Sequence, residues 1–160
     1  MNRIVIIMGV SGVGKTTVGR QLAEEFDCPF QDADDFHPLS NIQKMKAGIA
    51  LDDTDRWPWL ESLNKYLREL KGASLILACS ALKQSYRDHL AQGVDHLHWV
   101  FLQASVPLIQ KRLESRKSHF FDPKLVRSQF ETLEPPTDAI RIDAGQPLDQ
   151  VVSHIKNELR

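Results

Sequence analysis

A glycine-rich segment near the N-terminus has the clearest chemical meaning in this sequence. It runs Gly9-Val10-Ser11-Gly12-Val13-Gly14-Lys15-Thr16 and fits the pattern G-x-x-x-x-G-K-[ST] in full. In this pattern the glycines let backbone N–H groups turn inward as a nest for anions, and the helix that follows adds its positive N-terminal end. Lys15 can reach the β- and γ-phosphates of a nucleotide, and the hydroxyl of Thr16 can ligate Mg²⁺. The segment, extended to Thr17, therefore predicts a nucleoside triphosphate site.

Two other nucleotide-binding patterns are excluded by the same sequence. A dinucleotide fingerprint needs a third small residue after Gly12 and Gly14, and Thr17 occupies that position. A GTPase would carry D-x-x-G together with a guanine-reading Asn-Lys-x-Asp. The chain contains no D-x-x-G, and its one Asn-Lys pair, Asn64-Lys65, continues with Tyr-Leu. The elements that read guanine are absent from the sequence.

Three carboxylates follow the second predicted strand, at Asp32, Asp34 and Asp35. At the end of a strand beside a phosphate loop, such groups would lie near the γ-phosphate. One could hold a Mg²⁺-bound water there, and another could accept the proton of a hydroxyl group. The alternative is a solvated acidic turn with no chemical role.

Cationic side chains follow the third predicted strand. Lys83 and Arg87 are spaced i, i+4, which predicts that they share one face of a helix. They could contact an anionic group of a substrate or a phosphate, and a solvent-exposed charged face is the equal alternative. Lys44 and Arg56 flank the segment 48–55 and could join the same pocket.

A second pair of arginines precedes a polar segment. Arg112 and Arg116 are again spaced i, i+4, and residues 117–136 after them are polar, with three phenylalanines as anchors. A hinged lid here would carry arginines to a transferring phosphoryl group and exclude water. The alternative is a surface helix end whose cations suit the helix dipole.

The elements that must position these residues alternate between strand and helix. Strands are predicted at 4–8, 28–31, 74–79, 98–102 and 139–143, with helices at 15–26, 40–48, 55–70, 82–91, 107–116, 124–133 and 148–159. This alternation predicts an α/β fold with a parallel sheet covered on both faces. Ligands in such folds bind beyond the carboxyl ends of the strands, where the residues above are found.

Composition sets the broad class of the protein. A chain of 160 residues with 42% hydrophobic and 26% charged residues predicts a single globular domain, 1–160. Its net charge of −1 gives no reason to expect a nucleic-acid or membrane surface. Cys28 and Cys79 lack metal-ligand spacing, and we interpret them as buried thiols in a reducing compartment. The apolar run 4–10 is too short to span a bilayer. We therefore expect a cytoplasmic protein.

Several blocks of the sequence together resemble bacterial gluconate kinase. They include Asp32-Ala33-Asp34-Asp35-Phe36-His37-Pro38, Asp53-x-Asp55-Arg56-x-Pro58-Trp59-Leu60, Cys79-Ser80-Ala81-Leu82-Lys83 and Arg112-Leu113-x-x-Arg116-x-x-His119-Phe120. The blocks extend from the first strand to beyond residue 134. Small departures are Ala33 in place of Gly and Ala50 in place of Pro, and neither removes a functional group.

The resemblance implies a fold, a reaction and a set of site residues. The fold would be the three-layer P-loop nucleotide-kinase fold of the shikimate-kinase-like branch, with strand order 2-3-1-4-5 and a helical lid at about 117–136. The reaction would be ATP-dependent phosphorylation of the 6-hydroxyl of D-gluconate, commonly by a homodimer. The roles implied by the resemblance are as follows: Asp32 near Mg²⁺; Asp34 as the base; His37, Lys44, Arg56, Lys83 and Arg87 lining the gluconate pocket; Arg112 and Arg116 serving ATP and the phosphoryl group; and the turn from Asp143 to Pro147 passing the adenine.

Two alternatives to this reading stay open at the level of sequence. One is a kinase for shikimate or another small anionic metabolite. The other is a nucleotide-dependent regulatory protein with no acceptor substrate, although a regulator would need neither the acidic turn nor the cationic pair.

Overall fold

A parallel five-stranded sheet forms the middle layer of the computed structural model, which describes residues 2–115 and 123–160. The spatial order of the strands is β2-β3-β1-β4-β5, which confirms the predicted order. The strands are β1 (Ile4–Met8), β2 (Phe30–Asp32), β3 (Leu75–Ala78), β4 (Leu97–Gln103) and β5 (Ile140–Asp143).

Within the described ranges, seven α-helices and one short 3₁₀ turn, Ala33–Phe36, accompany the sheet. The helices are α1 (Lys15–Glu25), α2 (Leu39–Lys46), α3 (Asp53–Glu69), α4 (Gln84–Ala91), α5 (Val106–Glu114), α6 (Pro123–Thr132) and α7 (Leu148–Glu158). Each predicted helix is present, with ends shifted by one or two residues. None of these helices is both long and apolar enough to cross a bilayer.

The core has two halves, one on each face of the sheet. All five side chains of β1 are buried, and because successive residues of a strand point to opposite faces, Val5 and Ile7 join one half while Ile4, Ile6 and Met8 join the other. The first half is completed by α1, α5, α6 and α7, and the second by α3 and α4. The continuous apolar run at the N-terminus is therefore the doubly buried central strand that the sequence predicted. Cys79 is buried as predicted, but Cys28 is only partly so.

The carboxyl ends of the strands all lie at one edge of the sheet and lead into the segments singled out by the sequence. The phosphate loop leaves β1 through Gly9, which has a φ of 147°. A Cβ at this position would lie 2.9 Å from the backbone oxygen of Leu102 in β4. Because that oxygen belongs to the sheet and cannot move aside, glycine is required for the loop to turn there.

A reciprocal cap fixes the start of α3. The side chain of Asp52 accepts from the backbone N–H of Asp55 (2.8 Å), and the side chain of Asp55 accepts from the N–H of Asp52 (3.0 Å). The predicted helix start is therefore wrong: the cap is Asp52, and Asp55 is the third residue of the helix. Pro58 is therefore the sixth residue of the helix, and because proline has no N–H, the carbonyl of Thr54 lacks its usual i+4 donor.

We expect this cap to make a measurable contribution to stability. Replacing Asp52 with Ala should lower the free energy of unfolding by about 1 kcal/mol, because a backbone N–H at the helix start loses its partner. Asp52→Asn keeps an acceptor oxygen in the same place and should stay within a few tenths of a kcal/mol of wild type. Urea denaturation of the three proteins measures the difference. Equal stability of the Ala and Asn variants would contradict a capping role.

Candidate active site

The phosphate loop holds Lys15 in an inward position. Its Nζ donates to the backbone oxygens of Gly9 and Val10, each at 3.0 Å, so the ammonium group is enclosed by the loop that carries it. Burial lowers the pKa of Lys15 to about 8, although the carboxylates of Asp34 and Asp32 favour its charged form. The cation is therefore poised in the cradle where a phosphate would replace the two carbonyl oxygens as its partner.

Thr16 and Asp32 lie next to each other at the mouth of the loop. The Thr16 hydroxyl is 3.5 Å from Oδ2 of Asp32, while Oδ1 of Asp32 accepts from the backbone N–H of Asp34 at 3.0 Å. Asp32 is the last residue of β2, one position further along than the predicted strand end. In the described part of the chain, no group of three or more His, Cys, Asp or Glu side chains is arranged to hold a metal ion. Mg²⁺ is usually held by only one or two carboxylates together with phosphates and water, so this hydroxyl–carboxylate pair suits it.

A cavity of about 290 Å³ lies on the other side of the phosphate loop, beside Gly12, Val13, Gly14 and Thr17. Arg112 of α5 lines it and donates to the backbone oxygens of Val13 (3.1 Å) and Ala144, so it ties the loop to the turn after β5. The cavity has the position and size expected for the nucleoside of a nucleotide whose phosphates lie in the loop.

The turn after β5 borders this cavity, but through different residues from those predicted. Among the described residues, Ala144, Gln146 and Leu148 form the wall, in place of Asp143 and Pro147. Asp143 instead accepts from the N–H of Gly145 at 2.8 Å, and Pro147 precedes the first residue of α7. Their role in this structure is to shape the turn that presents its neighbours to the cavity.

Asp34 presents an accessible carboxyl group next to the phosphate loop. Its side chain is 80% exposed, and its carboxylate is close enough to Lys15 and His37 for their charges to act on it. Partial desolvation raises the pKa of Asp34, and the nearby Asp32 carboxylate raises it further, while His37 and Lys15 oppose the shift. Nε2 of His37 lies 3.7 Å from Oδ1 of Asp34. Asp34 is thus the carboxyl group of the acidic turn whose proton affinity is increased, as a proton acceptor requires.

Four polar side chains, Asp53, Tyr86, Lys83 and Arg56, contact one another, and the charge of Arg56 acts on His37. The carboxylate of Asp53 accepts from the Tyr86 hydroxyl, and it lies 3.5 Å from Nζ of Lys83 and 3.7 Å from Nη1 of Arg56. Arg56 also donates to the Tyr86 oxygen at 3.3 Å. The hydrogen bond from Tyr86, followed by the field of Lys83 and Arg56, lowers the pKa of Asp53. Two cations, each about one third exposed, are therefore held together by the half-exposed carboxylate of Asp53.

Arg87 does not share the surface of Lys83, contrary to the prediction. Lys83 is the residue before α4 and has an extended backbone, so the spacing i, i+4 does not place the two on one helix face. Arg87 is buried, and its guanidinium donates to the backbone oxygens of Ala81 and Glu134 at 2.6 Å each. In this structure it joins the end of the loop after β3 to the segment after α6.

Lys44 is also engaged with a protein partner. Its Nζ lies 2.8 and 2.9 Å from the two carboxylate oxygens of Asp55, an ion pair that raises the pKa of Lys44 and lowers that of Asp55. The pair connects α2 to the first turn of α3. In the ligand-free protein Lys44 therefore neutralises the carboxylate of Asp55, next to the predicted gluconate pocket.

The predicted lid is described only from residue 123 onward. Arg116 and residues 117–122 lie outside the described residues, so the predicted role of Arg116 stays a prediction. Helix α6, which belongs to the predicted lid, contacts the phosphate loop directly: Oε1 of Gln129 accepts from the N–H of Ser11 at 2.7 Å.

Four residues near the site were not singled out by sequence reasoning for these contacts: Asp53, Tyr86, Asn41 and Trp59. The carboxylate of Asp53 and the hydroxyl of Tyr86 join residues 33 positions apart, and no spacing rule connects them. Trp59 stacks on His37 with ring centroids 4.2 Å apart, and its indole N–H donates to the backbone oxygen of Ala33 at 2.7 Å. The sequence block 53–60 contains Asp53 and Trp59, but which residues they contact could be seen only in the folded structure.

Comparisons with known proteins give a consistent result. The shikimate kinase family profile matches residues 11–159. The chain is 43% identical to a probable gluconokinase of Dictyostelium discoideum, over 98% of this chain and 86% of that protein. It is 40% identical to the thermoresistant gluconokinase of Escherichia coli K12, over 95% of this chain and 90% of that protein.

Solved structures agree with these sequence relatives. The crystal structure of a gluconokinase from Sinorhizobium meliloti 1021 superposes with a TM-score of 0.90 at 39% identity, covering 99% of this chain and 91% of that one. A shikimate kinase from Aquifex aeolicus superposes with a TM-score of 0.59 at 19% identity, covering 98% of this chain and 95% of that one, which shows a shared fold.

The lowered pKa of Lys15 predicts how nucleotide affinity depends on pH. A phosphate binds the ammonium form, so binding raises the pKa of Lys15 and takes up a proton wherever the free protein has lost one. The affinity for a nonhydrolysable ATP analogue should be nearly constant between pH 7 and 7.5. Above pH 8 it should fall by up to about tenfold per pH unit. Isothermal titration calorimetry in two buffers of different ionisation enthalpy measures both the affinity and the proton uptake.

Lys15→Met is the control for this titration. The variant should bind the analogue weakly and without the added proton uptake above pH 8. A wild-type affinity that stays flat to pH 9.5 would contradict the position assigned to Lys15.

Proposed function

The chain belongs to the gluconokinases of the shikimate kinase family, and on that premise we propose that it transfers the γ-phosphate of ATP to the 6-hydroxyl of D-gluconate, yielding 6-phospho-D-gluconate and ADP. The observation that carries the proposal is that Asp34 lies within electrostatic reach of both Lys15 and His37, while the charge of Arg56, which shares Asp53 with Lys83, acts on His37 as well. An acceptor that is anionic at one end and carries a hydroxyl at the other could meet Asp34 and the cations Arg56 and Lys83 at once.

On the nucleotide side, the phosphate loop binds the triphosphate and the cavity beside Arg112 receives the nucleoside. Backbone N–H groups of the loop and Lys15 are placed to stabilise charge on the transferring phosphoryl group, the main source of catalysis in this class of reaction. Thr16 and Asp32 would hold Mg²⁺, which when bound neutralises charge on the β- and γ-phosphates. We assign Arg116 the same electrostatic task.

On the acceptor side, Asp34 orients the 6-hydroxyl and takes its proton as the new bond to phosphorus forms. Its raised pKa suits this step, because a more basic carboxylate accepts a proton more readily. Lys83 and Arg56 receive the carboxylate of gluconate, which would compete with or join Asp53 between them. His37 lies between Asp34 and Arg56, and we assign it contacts with the hydroxyl groups in the middle of the gluconate molecule.

Arg87 and Lys44 act indirectly in this proposal. Arg87 fixes the loop that presents Lys83, and Lys44 fixes the first turn of α3, which carries Arg56.

Further parts of the proposal follow from the family and the composition: Mg²⁺ as the cofactor, a homodimer as the assembly, the cytoplasm as the location, and neither nucleic acid nor membrane as a partner. Light scattering coupled to size-exclusion chromatography measures the assembly.

A screen of acceptors tests the proposed reaction. In a coupled assay of ADP formation with ATP and Mg²⁺, we expect D-gluconate to be turned over at least about a hundredfold more efficiently than shikimate, because a site built for one set of hydroxyls leaves polar groups unpaired with another. Preference for shikimate would favour the other metabolite kinase. ADP formation at background with every sugar acid would favour a nucleotide-dependent regulator.

Removing the charge of Lys83 tests the acceptor pocket. Lys83→Ala should raise KM for gluconate by about tenfold, the lower end expected for a lost charge-assisted hydrogen bond at a half-exposed site. The KM for ATP should not change. Lys65→Ala removes an exposed cation from the solvent side of α3 and serves as the matched control. A gluconate KM equal in both variants would remove Lys83 from the pocket.

A further inference from the structure

A buried amide on α2 determines which nitrogen of His37 carries the proton. Asn41 is 1% exposed, one of the few buried polar side chains of the described residues. Its Nδ2 lies 2.9 Å from the backbone oxygen of Asp55 and 3.2 Å from Nδ1 of His37. The nitrogen of an amide carries two hydrogens, enough for both contacts.

The contact with Asp55 settles the orientation of the amide. A backbone carbonyl can only accept a hydrogen bond, so the Asn41 atom that faces it must be the nitrogen and not the oxygen. The second hydrogen of that nitrogen then points at Nδ1 of His37. Nδ1 must accept it and is therefore unprotonated. A neutral imidazole with a bare Nδ1 carries its proton on Nε2.

The ring of His37 is held firmly in this arrangement. Its side chain is 4% exposed, and it lies on Trp59 at an interplanar angle of 17°. Burial lowers the pKa of His37, and Arg56 lowers it further while Asp34 opposes the shift, so the neutral ring is favoured. Trp59 is itself tied to the acidic turn through Ala33. Packing against Trp59 therefore opposes a flip of the ring that would exchange the positions of Nδ1 and Nε2.

Nε2 of His37 faces Asp34 but is too far away to form a hydrogen bond with it, so both groups can contact a ligand. The 3.7 Å from Nε2 to Oδ1 exceeds the range of a hydrogen bond, so the carboxylate is not engaged by the imidazole in the free protein. An oxygen bound beside Asp34 would find an N–H donor on one side and a carboxylate acceptor on the other.

We propose that Asn41 is a positioning residue that keeps His37 protonated on Nε2. His37 then donates a hydrogen bond to an oxygen of the substrate beside Asp34. Asp34 is left as the only base next to that oxygen. This inference rests on the proposed function for the identity of the acceptor. The tautomer itself follows from the contacts of Asn41 alone. His37 touches the acceptor, and Asn41 acts through His37.

The tautomer is measured directly in the ligand-free protein. Two-bond ¹⁵N–¹H spectra of histidine-labelled wild type at pH 7 should show His37 with Nε2 protonated and Nδ1 bare. Asn41→Asp replaces the donor with an acceptor of nearly the same shape, and His37 should then carry a proton on Nδ1. The exposed amide of Gln43, on the same helix, supplies the control Gln43→Ala, in which the His37 signals should stay as in wild type.

Kinetics then separate positioning from a purely structural role. Asn41→Asp should lower kcat for gluconate by about tenfold, less than the hundredfold or more typical of a directly acting acid or base, with KM for ATP unchanged. Asn41→Ser, which cannot reach both partners, should behave similarly if the carboxylate variant folds poorly.

Three results would overturn the inference. They are a proton on Nδ1 of His37 in wild type, an unchanged tautomer in folded Asn41→Asp, or a changed tautomer without any change in kcat. Failure of the wild type to phosphorylate gluconate would count against the proposed function instead, and it would leave the spectra fully interpretable.

Discussion

Burial of β1 on both faces is the constraint from which the rest of the site follows. Its five apolar side chains fill both halves of the core, and its backbone pairs with β3 on one side and β4 on the other. The strand can therefore neither slide nor rotate without exposing apolar surface. Because all five strands run in the same direction, this fixed position brings the phosphate loop, the acidic turn after β2 and the loop after β3 to one edge.

The cations at that edge have hydrogen-bond or ion-pair partners within the protein before any ligand arrives. Lys15 is held by two carbonyl oxygens of its own loop, and Asp53 lies between Lys83 and Arg56. Each of these three cations thus has a polar partner within the protein before a ligand binds. Binding becomes an exchange of partners: a phosphate replaces the carbonyls at Lys15, and a substrate carboxylate takes up the cations that Asp53 holds.

Sequence reasoning correctly predicted the features that depend on local pattern. It was wrong about features that are determined by local backbone geometry or by contacts between distant segments. The phosphate loop, the order of the strands and the position of the acidic turn follow from glycine spacing, periodicity and family resemblance. The pairing of Lys83 with Arg87 was wrong because Lys83 is itself the cap residue before α4 and has an extended backbone, which the spacing i, i+4 does not reveal. Likewise Asp52 and Asp55 are both acceptable caps by residue type, and only the backbone geometry distinguishes them.

The first turn of α3 connects the elements that surround the proposed gluconate pocket. The carboxylate of Asp55 binds Lys44 and its carbonyl binds Asn41, so both attach α2 to this turn. Asp53, two residues earlier, attaches the turn to Lys83 and Tyr86 beside α4. Helices α2 and α4 are therefore coupled through two residues of one helical turn, Asp53 and Asp55, rather than through the sheet. The phosphate loop is common to many nucleotide-binding proteins, whereas this turn is where acceptor identity can change without disturbing the core. Differences in substrate within the shikimate kinase fold should accordingly be concentrated in the start of α3 and the two segments bound to it.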